Sequence, residues 1–308
     1  MSVLNTPDPS VTAPLANKED ARFRFNCCDY SVSGQAFELW ESPGGYCFTY
    51  PVPEDLAAYY DSNAYLSHHS DEPGLMAALY RLARRTNSSW KKRLLHQYLK
   101  KAAKTSAPIR LLDFGCGTGH FAGICAGEGH QITGIETDAD AATLARERTG
   151  MAVYPGFSAL PPTTQTVAGF DAITAWHVLE HVPNPAETLQ HFYAHLKPGG
   201  IAFVAVPNFN SFDARFYGNK WAGYDVPRHL HHFTPGFLEE LAAAQGFRVI
   251  GLHRMLLDAF FVSLLSERYA GSGVLGHLRA LTTGLWSNAR ALRDARQSSA
   301  FTIIFQKI

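Results

Sequence analysis

The residues with the clearest chemistry lie between Leu111 and His120, in the run Leu-Leu-Asp-Phe-Gly-Cys-Gly-Thr-Gly-His. Gly115, Gly117 and Gly119 recur at alternate positions, which lets a backbone turn tightly and approach a ligand closely. Asp113 stands two positions before the first of these glycines. Glu136 follows Gly119 by seventeen residues and ends the next apolar run. A carboxylate at such a place can accept hydrogen bonds from both ribose hydroxyls of a nucleoside. Gly117-x-Gly119-x-x-Ala122 also satisfies a dinucleotide spacing, so an NAD-type site is the first rival. Asp113 argues against it, because an acid beside a helix N-terminus repels the pyrophosphate that would bind there. The loop also lacks the Lys-Ser/Thr of a nucleotide P-loop. A ligand that brings positive charge to the loop is favoured.

A second group is rich in imidazoles: His177, His181, His229, His231 and His232, with Asp225 and Arg228 among them. Histidine titrates near neutrality and suits general-base work. His177, His181 and His229 are the candidate catalytic residues. On a strand, His229 and His231 would share one face. A metal centre needs further ligands and an outer shell, so no metal is expected. Trp221, Tyr224, Asp225, Arg228 and His232 are expected to line an acceptor pocket. Arg228 pairs there with a substrate carboxylate or phosphate, or else with Asp225.

Strands must hold these groups. Apolar runs at Ile109–Phe114, Gln131–Glu136, Met151–Tyr154, Phe170–Trp176, Ile201–Val206, Phe247–Leu252 and Phe301–Gln306 read as strands. Helices are predicted over His120–Ala126, Asp138–Arg148, Pro185–Leu196 and Pro235–Gln245. Strands alternating with helices give an α/β fold, a doubly wound and mostly parallel sheet. Two long segments interrupt the pattern, 208–234 and 255–299, and the first leaves the carboxyl end of a strand, where open sheets bind ligands. In the second, Leu257, Phe260, Phe261, Leu264 and Leu265 recur at helical spacing. Ordinary packing, a homodimer face, and an apolar entrance for a lipid-linked acceptor at a membrane surface all fit that stripe.

The expected organisation is a disordered tail over 1–21, a small segment over 22–70, basic helices over 71–107 with a break at Thr86–Ser89, and the main domain over 108–308. From Arg81 to Arg110 there are ten Lys and Arg and no acid, a solvated face or an attraction to anionic substrate or lipid. Across the chain, 27 basic and 27 acidic residues cancel, so steering toward nucleic acid is not expected. A hydrophobic fraction of 46% supports a substantial core and excludes a charged, disordered chain. Five irregularly spaced cysteines make no disulfide framework. With no secretory signal or membrane span expected, a cytoplasmic location follows.

At these motifs the chain resembles the class I S-adenosylmethionine-dependent methyltransferases. The resemblance covers about 108–254 and rests on LLDFGCGTGHF, GIETD, FDAITAWHVLEHVPNP, LKPGGIAFVAVPN and DVPRHLHHFTPGFLEELAAAQGF. It implies a seven-stranded sheet with an antiparallel last strand, and S-adenosylmethionine as cofactor. It implies that the backbone from Phe114 and Gly115 through Cys116 and Gly117 to Gly119 and His120 wraps the methionine part. Asp113 would hold the ammonium, Glu136 and Thr137 the ribose, and Trp176 and His177 would lie beside the cofactor. The acid that many members place after the third strand is missing. Phe157 would stack on adenine there and Ser158 would hydrogen-bond it. The opening segment resembles a subgroup in which CxxC pairs bind zinc before F-T-x-P-x-P and YY…Y motifs. Phe48–Pro53 and Tyr59, Tyr60 and Tyr65 keep those motifs, but Cys27, Cys28 and Cys47 do not keep the pairs, so a degenerate ribbon is expected. The implied reaction is methyl transfer to a small-molecule acceptor, most simply to a hydroxyl oxygen. The alternatives are an NAD-dependent oxidoreductase and a non-catalytic binding protein that retains the fold.

Overall fold

The structure is a computed structural model of the chain and describes residues 18–60, 75–102, 108–165 and 169–308. Most of the expected tail, and Tyr65, lie outside the described residues. The chain opens with strands β1 (Arg22–Cys28), β2 (Ala36–Glu41) and β3 (Cys47–Tyr50), paired antiparallel in sequence order. Helix α1 (Leu75–Lys101) follows as one continuous helix, so the break predicted at Thr86–Ser89 does not occur. The polar residues there each weaken a helix by only about 0.5 kcal/mol, and Leu94, Leu95, Tyr98 and Leu99 bury the helix against the sheet.

The main sheet is built from β4 (Arg110–Phe114), β5 (Gln131–Ile135), β6 (Ala152–Tyr154), β7 (Phe170–Trp176) and β8 (Leu196–Pro207), with α2 (His120–Ala126), α3 (Ala139–Thr149) and α4 (Pro185–His195) between them. Helices α3 and α4 start where the sequence supplies a cap. The Asp138 carboxylate accepts from the Ala141 N–H at 2.7 Å, and the Asn184 side chain caps α4 ahead of Pro185.

Beyond β8 come α5 (Phe212–Tyr217), β9 (His231–His232), α6 (Pro235–Ala244), β10 (Phe247–Arg254), α7 (Leu256–Tyr269), α8 (Gly273–Arg293) and β11 (Ala300–Lys307). The seven-stranded sheet runs β10-β11-β8-β7-β4-β5-β6. Strands β4 to β8 pair parallel with one another, and β11 lies antiparallel between β8 and β10. This is the doubly wound, mostly parallel sheet read from the sequence. β8 is covered on both faces, so Ala202, Phe203, Val204, Ala205 and Val206 are all fully buried. Each large apolar side chain of that core contributes roughly 1.5–3 kcal/mol by leaving water. The chain departs on opposite sides of the sheet after β4 and β7, which are neighbours, and the crevice above that point is where open sheets hold ligands.

The two insertions pack differently from one another. In 208–234, β9 pairs with β3, His232 opposite Cys47 and His231 opposite Phe48, so the opening segment and the insertion form one four-stranded sheet. In 255–299, α7 and α8 pack through small or polar residues, including Ala259, Ser263, Ser266, Ala280, Thr283 and Ser287. Of the expected apolar stripe, Phe260 packs against Gly284 of α8, while Leu257 and Phe261 are exposed. Phe261 is 46% exposed, and on α8 Leu275, Leu278, Leu285 and Trp286 are each more than half exposed. No described helix is long and apolar enough to cross a membrane.

Candidate active site

The glycine loop forms as the spacing predicted. Gly115, Gly117 and Gly119 all take left-handed backbone angles, with φ of 68°, 52° and 75°. At Gly119 a side chain would also stand 3.0 Å from the Cα of Ala145, so α2 and α3 could not approach as they do. The loop is tied back to β5: the N–H groups of Gly115 and Cys116 both donate to the Ile135 carbonyl. The Glu136 carboxylate completes the tie. It accepts from the Gly117 N–H at 2.8 Å and from the Asp138 N–H at 3.0 Å. A half-buried carboxylate is thus held beside the loop, while Thr137 is exposed.

Asp113 is 2% exposed. The sheet register sets Thr174 of β7 opposite it, and the Thr174 hydroxyl donates to Asp113 Oδ1 at 2.7 Å. Burial pushes the Asp113 carboxyl up to about 6, against that hydrogen bond and the positive charge of Lys91. Lys91 comes from α1, and its Nζ lies 4.6 Å from the centroid of the Trp176 ring. Burial drives the Lys91 ammonium down to about 8, opposed by Asp258 and Asp113. A buried acid and an aromatic face here both favour a cation. At about 4 Å, one unit charge on Asp113 would attract another by about 4 kcal/mol in a site of intermediate polarity.

His177 follows β7 with φ of 58°, a strained left-handed angle for a side-chain-bearing residue. Its N–H donates to the Ala205 carbonyl, which fixes it above the sheet. Its ring lies between two acids, with Nδ1 3.4 Å from Glu180 Oε1 and Nε2 3.8 Å from Asp258 Oδ2. Burial lowers the His177 pKa, but the Glu180 hydrogen bond and the Asp258 charge outweigh it, and the net shift is upward. Glu180 brings together the other two candidate imidazoles. One donor atom each from Glu180, His181 and His229 all lie within 4.8 Å of one another. Burial lowers the His181 pKa to about 4, with the neighbouring His229 adding to the shift.

The adenine side differs from expectation. Phe157 stacks on Phe114 at 5.2 Å and on His191 at 4.8 Å, so its ring is engaged in packing. Ser158 beside it is exposed.

Of the expected acceptor-lining residues, Trp221, Tyr224, Asp225 and Arg228 line a small cavity with Cys27, Tyr30 and Tyr269, but their polar groups are taken up by the chain itself. Trp221 is 2% exposed, and its Nε1 donates to Asp213 Oδ2 at 2.8 Å. The same carboxylate accepts from the hydroxyls of Ser287 and Ser299, each at 2.6 Å. Tyr224 is wedged edge-on against Phe25, Trp221 and His232. His232 is buried with Nε2 3.0 Å from the Thr49 hydroxyl, and burial holds its pKa well below the ordinary value. Arg228 uses every arm internally. It donates to both oxygens of Asp225, to Asp29 Oδ1 at 3.2 Å and to the Tyr59 carbonyl at 3.0 Å. The pairing with Asp225 therefore prevails over a substrate anion. His229 and His231 also part company, Nδ1 of the first facing the Gly223 carbonyl and Nε2 of the second the Pro183 carbonyl.

Sequence reasoning missed Lys91, Thr174, Glu180 and Asp258 as members of the site. Glu180 stood within a quoted motif, but its burial was not visible there. Lys91 and Asp258 come from distant elements, and no local spacing links them to the loop. In the opening segment Cys27 and Cys47 are buried, and among the described residues neither joins a cluster of three or more metal-binding donors. Burial raises the Cys47 thiol to about 12, against a hydrogen bond from Arg24.

Comparison with known proteins bears on this geometry. A family described as a methyltransferase domain matches residues 62–252. A ubiquinone biosynthesis O-methyltransferase of Psychrobacter arcticus is 31% identical over 169 residues, covering 50% of this chain and 66% of that protein. Its namesake from Burkholderia multivorans is 29% identical over 167 residues, covering 52% of this chain and 72% of that protein. Among solved structures, one assigned provisionally as a sarcosine dimethylglycine methyltransferase of Galdieria sulphuraria aligns with a TM-score of 0.52. It is 16% identical, with 80% of this chain and 91% of that one covered, a likeness of fold alone.

Proposed function

This chain belongs to the class I S-adenosylmethionine-dependent methyltransferases, and within that family we propose that it methylates a hydroxyl oxygen of a small, partly apolar acceptor. The NAD-dependent and non-catalytic alternatives have no support beside that membership. The cofactor is S-adenosylmethionine. In this reading Asp113 takes its ammonium, the loop from Phe114 to His120 wraps its methionine part, and Glu136 turns from the Gly117 amide to the ribose hydroxyls. Ser158 takes the adenine edge. The cofactor supplies an activated methyl group, and the chain supplies alignment and a site shielded from water.

The observation that carries the choice of oxygen is the polar cluster at the end of β7. A hydroxyl must lose its proton as it becomes a nucleophile, and His177 lies between Glu180 and Asp258 where it can receive that proton. The names of the relatives point the same way. The test is product formation from S-adenosylmethionine with paired phenol and aniline acceptors of equal size, followed by mass spectrometry. Methylated phenol with S-adenosylhomocysteine is expected. Turnover of the aniline alone would overturn the choice of oxygen.

A second feature favours an acceptor drawn from a lipid surface. Helix α8 holds Val274, Leu275, Leu278, Leu281, Leu285 and Trp286 outward, all more than 45% exposed, and Gly273–Arg293 contains no acid. An apolar face with basic neighbours suits an anionic membrane surface. A homodimer through the same face is the competing use, and mass measurement in solution separates the two.

A further inference from the structure

We propose that Glu180, His181 and His229 form a binding site for one divalent transition-metal ion. The three residues bring their donor atoms within 4.8 Å of one another, from two segments distant in sequence. Those segments are clamped together, because the Glu180 carbonyl accepts from the N–H groups of Leu230 and His231 at 2.8 and 3.1 Å. The donors are therefore placed by backbone pairing and not by loose side chains.

The hydrogen bonds fix the tautomers. His181 Nδ1 lies 3.0 Å from the Arg228 carbonyl, and His229 Nδ1 lies 3.0 Å from the Gly223 carbonyl. A carbonyl oxygen only accepts, so each Nδ1 carries the proton and each neutral ring presents a bare Nε2. A metal-binding histidine is typically held in this way, its second ring nitrogen donating to a carbonyl. The Tyr60 hydroxyl oxygen, 3.0 Å from His181 Nδ1, shares the same proton.

Glu180 supplies an independent sign. It is 1% exposed, and among the described residues its Oε2 atom receives no hydrogen bond. His177 Nδ1 approaches only Oε1, at 3.4 Å. A buried carboxylate left this poorly satisfied is costly, and a cation between it and two bare imidazole nitrogens relieves that cost. Asp225 Oδ2, 3.9 Å from His229 Nε2, is already held by Arg228 and stays outside the ligand set.

A second cluster, His96, Glu128 and His130, lacks this character. There Lys92 Nζ sits 2.6 Å from Glu128 Oε1, His96 Nε2 takes Oε2 at 3.1 Å, and the two rings contact each other, so the donors are engaged.

Two nitrogens and one carboxylate oxygen suit zinc, iron(II), cobalt(II) or manganese(II) better than magnesium or calcium, which prefer oxygen. Three protein ligands leave open positions. A hydroxyl taken up there would lose its proton more readily. That consequence rests on the O-methylation reading, whereas the site itself does not.

The test is a titration of chelator-treated protein with cobalt(II), read by visible absorption and calorimetry, with zinc(II) as competitor. One ion per chain is expected, displaced by zinc. Glu180→Gln and His229→Gln should each weaken it by at least about 100-fold, and His130→Gln should leave it unchanged. S-adenosylhomocysteine binding by the same variants checks that they are folded. If both variants fail that check, the wild-type spectrum decides alone: nitrogen and oxygen ligation supports the site, and a thiolate charge-transfer band would move the ion to the cysteines and overturn it. Absence of one-to-one uptake, or uptake that survives both folded variants, also overturns it. Phenol methylation without bound metal would sink the metal site and spare the reaction. A bound ion without hydroxyl methylation would do the reverse.

Discussion

The loop over 113–120 and the insertion over 208–234 both rise from the carboxyl end of the main sheet, and they hold their polar groups in contrasting ways. In the loop, three glycines turn the backbone and a neighbouring strand end supplies Glu136, all within 24 residues, from 113 to 136. In the insertion, several polar side chains are tied to residues far away in sequence. Arg228 is held by Asp29 and the Tyr59 carbonyl, His232 by Thr49, and Trp221 by an Asp213 that also binds Ser287 and Ser299. The first region holds Asp113 and Glu136 through ties to β7 and to the loop itself. The second spends its charges and rings on joining the opening sheet, α5 and α8.

The contrast can be broken most severely at Asp213. Asp213→Ala leaves three buried donors without an acceptor and should cost about 3 kcal/mol or more in denaturant unfolding. Cofactor affinity of the folded fraction should stay within about twofold, since Asp213 takes no part in the glycine loop. A large loss of affinity in a fully stable variant would mean that the two regions are not separate in function.

Arg228→Gln sharpens the same point. It strands Asp29 and Asp225 near each other and should cost about 2 kcal/mol of stability. If the arginine instead faced substrate, acceptor KM would rise while the unfolding midpoint stayed fixed. Kinetics and melting of one preparation tell these apart.

Local spacing explains why one region was legible and the other was not. Gly115, Gly117, Gly119 and Glu136 act through backbone turns and a strand end, which periodicity exposes. The parallel sheet and its antiparallel last strand were legible for the same reason. The sequence left Arg228 between a substrate anion and Asp225, and its further partner Asp29 lies 199 residues away, where no pattern connects them. Phe157 looked available for stacking until α4 placed His191 against it. The stripe on α7 was read from its apolar residues, and Phe260 does meet α8 at Gly284, but small residues fill much of the seam and Phe261 faces outward.

The pH dependence of cofactor binding probes the loop alone. Burial raises the Asp113 carboxyl to about 6, above its ordinary 3.8, so its charged form is disfavoured there. A bound ammonium favours that charged form. Affinity should therefore rise as pH climbs toward 6, level off above it, and fall by up to about tenfold per unit below it. Lys91 loses its proton from about 8 upward, which removes a competing charge and should raise affinity once more. Calorimetry between pH 5 and pH 9 reads both limbs, and a flat profile would remove Asp113 from the ammonium site.

The smallest effect on folding is expected on the outer face of α8. Leu278→Glu with Trp286→Glu should change stability by less than about 0.5 kcal/mol, because both side chains are already more than half exposed. Cosedimentation with vesicles containing anionic lipid should be lost in the same variant. Retained cosedimentation would assign membrane contact to another surface.

The most direct measurement is a calorimetric titration of S-adenosylhomocysteine into the wild-type protein and into Glu136→Ala, with NADH as control. The expected result is one site in the wild type, about 100-fold weaker in the variant through loss of charged hydrogen bonds to the ribose, and no heat from NADH. Equal affinity of the two proteins, or saturable binding of NADH in their place, would contradict the assignment of the glycine loop and Glu136 as the cofactor site.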